Sequence, residues 1–162
     1  MKHLIAIATL LVASPALALD VQLTGGWDGK TVPAGQHCTL QGGNGSTPPM
    51  TVSGIPGGAT WLVLEFNDKD YRPLSTKGGH GILAYPVKGA TTKIPALPGM
   101  TTKLPGGARV MKPSRAGGEF ASPGYLPPCS NGRKNRYSVD VKAIDGAGKV
   151  LDKARNISIG RY

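Results

Sequence analysis

Three loop segments hold most of the side chains that could do chemistry. Asn67-Asp68-Lys69-Asp70-Tyr71-Arg72-Pro73 carries two carboxylates two residues apart. In an extended segment Asp68 and Asp70 would point the same way, able to hold a cation, brace a loop or orient a histidine. Gly78-Gly79-His80-Gly81 flanks an imidazole with glycines, which let a ligand approach the backbone closely. Held by a carboxylate, His80 would be charged near neutral pH and could receive an anion. Ser122-Pro123-Gly124-Tyr125-Leu126-Pro127-Pro128-Cys129, leading to Asn135-Arg136-Tyr137, offers Tyr125 and Tyr137 as hydroxyl donors or pocket walls. The plain alternatives are a structural histidine, aspartates that make turns through their own backbone, and tyrosines that only pack.

Catalytic and metal patterns are thin. There is no G-x-S-x-G elbow and no Gly-rich phosphate loop of the Walker type. Ser122 or Ser130 with His80 and Asp68 is arithmetically a triad, but nothing in the sequence favours it. The cysteines and histidines lack CxxC or HxxxH spacing, which argues against zinc and any other metal. The expectation is a protein without enzymatic activity, metal or cofactor.

Loops at the ends of strands are where a rigid sheet presents such groups. Trp61-Leu62-Val63-Leu64-Glu65-Phe66, just before the first segment, is a near-continuous apolar run and suits a strand covered on both faces. Ile82-Leu83-Ala84-Tyr85 follows the second segment and ends at Pro86. Tyr137, Val139, Val141 and Ala143 alternate with Ser138, Asp140 and Lys142, predicting a half-buried strand after the third. Residues 86–124 read mainly as long loops, with one short strand around Ala108–Met111. The last segment fits either a helix or a strand. The Asp145-Gly146 turn and Gly160 favour a hairpin.

The chain has 162 residues, 40% hydrophobic and 17% charged, which suits one domain and argues against wholesale disorder. Its 24 glycines and 14 prolines fall between apolar runs without a fixed period, a pattern of loop-rich β structure. The net charge of +10 favours acidic partners without choosing among them.

Met1-Lys2-His3, the apolar stretch from Leu4 to Val12 and Ala16-Leu17-Ala18 read as a signal peptide spanning residues 1–18 and cleaved after Ala18. A single domain over residues 19–162 follows, periplasmic or secreted. No segment is long enough for a transmembrane helix. Export removes the usual nucleic-acid partner, and no basic motif interleaved with aromatics appears. Two cysteines, Cys38 and Cys129, suggest a disulfide in an oxidising compartment, with two buried free thiols as the alternative.

Taken in order, the motifs resemble the phosphatidylethanolamine-binding protein family, in its bacterial, Raf kinase inhibitor-like branch. Cys38 to Pro49 is similar to the family's C-x-G-x-N-x-S-P-P stretch, and Val52-Ser53-Gly54-Ile55-Pro56-Gly57-Gly58 to its W-S-G-x-P-x-G stretch. Asp68-Lys69-Asp70 with Pro73 is similar to D-P-D-x-P. His80 matches the pocket histidine. Tyr125 to Ser130 and Asn135-Arg136-Tyr137 stand for Y-x-G-P-C-P and H-R-Y.

The resemblance implies an all-β, mainly antiparallel sandwich of a large and a small sheet with little helix. It also implies a pocket for a small anionic or phosphorylated group, lined by Asp68, Asp70, His80, Tyr125, Pro128 and Tyr137. Both cysteines sit in motifs the family places around this region, which supports their pairing. Three departures stand out: Lys69 replaces a proline, Asn135 replaces a histidine, and glycines flank His80 where aromatics are usual. Lys69 or Arg72 is the expected substitute for the lost positive charge. Replacing His80 is expected to weaken binding with little effect on folding. The competing reading is a basic interaction protein that binds an acidic protein or an envelope surface, its pocket vestigial. A hydrolase is the third.

Overall fold

The computed structural model describes residues 18–162. Apart from Ala18, the expected signal peptide lies outside the described residues.

The apolar run beginning at Trp61 becomes β3 (Trp61–Asp68), the central strand of a five-stranded antiparallel sheet. Its neighbours are β4 (Ile82–Pro86) and β7 (Arg136–Ile144). Outside them lie β6 (Arg109–Lys112) and β8 (Val150–Arg161). The second sheet has three short antiparallel strands, β1 (Asp20–Leu23), β2 (Met50–Ser53) and β5 (Thr92–Ile94), with β2 in the middle. Three single turns of 3-10 helix, at Thr39–Gln41, Arg72–Leu74 and Gly118–Phe120, are the helical segments among the described residues. None is long and apolar enough to cross a membrane.

The two sheets share one core. Val52 and Ile94 from the small sheet are buried in the same cluster as Leu62, Leu64, Phe66, Val139 and Val141 from the large one. Each such side chain contributes roughly 1.5–3 kcal/mol by leaving water. The opposite face of β3 is covered too, which explains its unbroken hydrophobicity. Val63, Ile82 and Ala84 form a smaller cluster there with Trp61 and Ile144, and the Arg109 guanidinium lies 3.6 Å above the Trp61 ring.

The expected strands at 82–85 and 108–111 appear as β4 and β6. The C-terminal segment pairs with β7 as a hairpin. Asp145 makes its turn, with Oδ1 accepting hydrogen bonds from the backbone N–H groups of Ala147 and Lys149. Within the stretch read as loop, Thr92–Ile94 is an additional strand. Thr92 and Ile94 are buried and Lys93 is exposed, but three residues are too few for alternation to stand out. Ser138 departs from the half-buried pattern of β7 and is buried.

Candidate functional site

Asp68 is the last residue of β3 and pairs with Tyr137 of β7, so sheet register sets its position. There the chain turns sharply. The Asp68 Oδ1 atom accepts hydrogen bonds from the backbone N–H groups of Asp70 (3.0 Å) and Tyr71 (3.1 Å). Its Oδ2 accepts one from the Asn135 side-chain amide at 2.8 Å. The carboxyl is buried, and these partners offset the loss of water.

His80 is placed by Asn67, a buried residue to which the sequence reading gave no role. The Asn67 Oδ1 accepts from the backbone N–H groups of Gly78 (2.9 Å) and Gly79 (3.3 Å), folding the turn that precedes the histidine. Gly79 has no room for a side chain, since a Cβ there would lie 2.1 Å from the Leu74 carbonyl oxygen. The His80 backbone N–H donates to Phe66 O at 2.9 Å, and His80 O accepts from Leu126 N–H at 2.8 Å.

The His80 ring is fixed just as firmly. Nδ1 lies 2.8 Å from the Leu126 carbonyl oxygen, an acceptor only, so Nδ1 carries the proton and donates. The ring edge packs against Tyr137, with centroids 5.3 Å apart. Nε2 is buried and has no partner. Burial is the main influence on the ring and pushes its pKa below the ordinary value. The Leu126 carbonyl and the nearby Asp68 oppose this in part. In the neutral ring Nε2 is therefore a hydrogen-bond acceptor, whereas the sequence suggested a charged donor.

A pocket of about 560 Å³ opens over Asp68 and His80. Leu126 and the disulfide-bonded Cys129 form part of its wall. Tyr71 and Leu40 also line it and are 53% and 46% exposed, forming an apolar rim. The exposed side chains of Arg133 and Glu119 place one charge of each sign at the mouth. The 116–120 segment is brought here by a clasp on the histidine turn. Ser114 Oγ and Arg115 N–H both donate to Gly79 O, while the Arg115 guanidinium donates to the carbonyls of Pro73, Thr76 and Lys77.

Asp68 and His80 are thus brought together, and the other four expected residues do not line the pocket. Asp70 is turned outward by the Asx turn at Asp68 and forms an ion pair with Arg136, which lowers its pKa to about 2. Tyr125 sits in the core with its ring 4.5 Å from that of Phe66, and burial pushes its phenol pKa up. Tyr137 stands behind His80, its hydroxyl oxygen accepting from Cys129 N–H at 3.2 Å. The Pro128 carbonyl accepts from Cys38 N–H at 3.0 Å, bracing the Cys38–Cys129 disulfide. Lys69 reaches away from the pocket to Asn156, and Arg72 does not line it. The cation at the pocket is Arg133. Sequence analysis pointed to Lys69 or Arg72 instead, because nothing in the linear order shows that Arg133 faces the pocket.

No family model and no curated protein sequence matches the chain. Among solved structures it is similar to a candidate phosphatidylethanolamine-binding protein homolog from Chlamydia trachomatis. The identity is 22%, the TM-score is 0.53, and the match covers 90% of this chain and 97% of that one. The fold is therefore that of a phosphatidylethanolamine-binding-protein-like β-sandwich.

Proposed function

We propose that this chain is a periplasmic or secreted binding protein of the phosphatidylethanolamine-binding family, in its bacterial Raf kinase inhibitor-like branch. Its pocket takes a small anionic or phosphorylated group. The observation that carries this reading is the buried, unpartnered Nε2 of His80 beside Asp68. A buried nitrogen without a hydrogen bond is costly, and a ligand that supplies one removes the cost.

The tautomer sets the chemistry of the ligand. A phosphate monoester exchanges its second proton near pH 6. As a monoanion it donates its hydroxyl to Nε2. As a dianion it needs a protonated ring. Either way one proton lies between nitrogen and phosphoryl oxygen, so affinity rises as pH falls from 8 to 6. Arg133 and Glu119 at the mouth suit a group that carries both charges, such as phosphorylethanolamine.

Two features support the remaining parts of the proposal. Ser122 Oγ donates to the Tyr125 carbonyl and Ser130 Oγ to that of Tyr162, so neither hydroxyl is hydrogen-bonded to His80, which supports binding over a serine-hydrolase reading. The disulfide is compatible with the oxidising compartment to which residues 1–18 would direct the chain.

The test is calorimetric titration of residues 19–162 with phosphate and phosphorylethanolamine at pH 6 and pH 8, repeated with His80→Asn. A saturable component that strengthens at pH 6 and is absent from the variant supports the reading, whatever binding remains at other sites. Identical isotherms for the two proteins at both pH values overturn it.

A further inference from the structure

A second cleft, of about 720 Å³, lies where the C-terminal end of β8 meets the Gly29–Lys30 segment. Lys30, Lys69, Arg136 and Arg161 line it, and no acidic residue does.

The backbone shows how these cations come together. Lys69 N–H donates to Arg136 O at 2.8 Å. Arg136 stands directly opposite Arg161 in the β7–β8 pairing. Arg161 N–H in turn donates to Lys30 O at 3.0 Å. Four adjacent backbone segments thus each carry a cation at the same level. At about 4.8 Å between strands the row is roughly 14 Å long. Like charges placed opposite one another across strands are destabilising. Among the four, Arg136 has a carboxylate partner, Asp70. Lys69 Nζ donates to the Asn156 amide oxygen and Arg161 to the Lys134 carbonyl, which are neutral acceptors.

Two further observations mark the cleft as built for an occupant. Ser138, one of its lining residues, is 3% exposed and its hydroxyl has no partner. The β7–β8 ladder also slips register between Tyr137 and Ser138 and again between Val139 and Val141. Opposite the second slip Asn156 adopts a left-handed conformation at φ 54°, a region that Asn enters more readily than most residues with a side chain. Such bulges redirect side chains, and here they bring Asn156 and Ser158 to the cleft wall. The packing is tight as well. A Cβ on Gly160 would lie 2.7 Å from the backbone of Thr31 and Val32, so glycine lets the 29–32 segment close against β8.

We propose that this cleft is a second anion site, distinct from the His80 pocket, that takes a phosphate-class oxyanion through Lys30, Lys69 and Arg161 with hydroxyl and amide donors from Ser138 and Asn156. The row of cations makes a diphosphate a better ligand than a single phosphate, since two phosphoryl groups span more of it.

The experiment is an NMR titration of isotope-labelled residues 19–162 with inorganic phosphate and with pyrophosphate at constant ionic strength. Amide shifts are followed at Lys69, Ser138, Asn156 and Arg161, and separately at His80 and Leu126. The expected result is saturable shifts in the first group, tighter for pyrophosphate. These persist in His80→Asn and weaken about tenfold or more in Lys30→Gln/Arg161→Gln, two exposed positions whose neutralisation leaves the core intact. Unchanged affinity in that double variant, or shifts that never saturate, overturns the site. Persistence in His80→Asn separates this site from the pocket, so either can fail alone. Vesicles containing phosphatidic acid then distinguish the source. Displacement of pyrophosphate by the vesicles assigns a lipid headgroup, and no displacement assigns a soluble phosphate.

Discussion

His80 and Leu126 hold each other twice. The Leu126 N–H donates to the His80 carbonyl, and the His80 Nδ1–H donates to the Leu126 carbonyl, both at 2.8 Å. This pair joins the histidine turn to the 122–129 loop and fixes the imidazole tautomer. It leaves Nε2, buried and without a partner, as the remaining polar atom of the ring. Because the ring is buried, replacing His80 should affect folding as well as binding, where the sequence reading expected little effect on folding. His80→Ala should cost about 1–3 kcal/mol through the lost hydrogen bond and the space left behind. Urea unfolding alongside the phosphate titration checks this.

The same burial makes stability depend on pH. His80 has a folded pKa below its unfolded value, so its contribution is intact above pH 6.5 and declines as pH falls toward the folded pKa. The urea midpoint should drop between pH 7 and pH 5, and the slope should be shallower in His80→Asn. Asp70 does not confuse this window. Its stabilisation, present above about pH 3.8, is lost only as pH falls toward 2.

Asp68 and Asp70 should separate cleanly. Asp68→Ala leaves two backbone N–H groups and the Asn135 amide without their acceptor, and should destabilise by about 1–3 kcal/mol and abolish pocket binding. Asp70→Asn should leave pocket affinity unchanged. By freeing Arg136 from its carboxylate, it should instead tighten pyrophosphate binding in the second cleft. Parallel titrations of both variants check this.

Gly79→Ala would force a methyl group against the Leu74 carbonyl, so the turn must shift. A loss of about 1–3 kcal/mol is expected, together with weaker pocket binding, because His80 is the next residue. Thermal unfolding and the phosphate titration report the two effects.

Removing the disulfide should be costly, since the crosslinked residues are 91 apart in sequence. Chain entropy puts the loss at up to about 4.6 kcal/mol for Cys38→Ser/Cys129→Ser. Pocket binding should weaken as well, because Cys129 forms part of the wall. Denaturant curves with and without reductant measure the first effect.

Sequence alone determined the long strands up to β7 and favoured the C-terminal hairpin over a helix. An unbroken apolar run, a period-two alternation and Asp-Gly turn chemistry are local signals, and burial in a sandwich reinforces each of them. It also pointed to Asp68 and His80, whose neighbours in the chain build the turns that hold them. Tertiary structure decided what a linear pattern does not encode. The direction of Asp70 depends on a turn made by the side chain of Asp68 and on a cation 66 residues away. Arg133, Glu119 and Tyr71 meet at one mouth only because the Arg115 clasp and the disulfide bring their loops together. The cation row exists only across strands, where Lys30, Lys69, Arg136 and Arg161 become neighbours through backbone hydrogen bonds. The charge state of His80 was likewise settled by burial, which outweighs the nearby carboxyl and leaves the ring neutral.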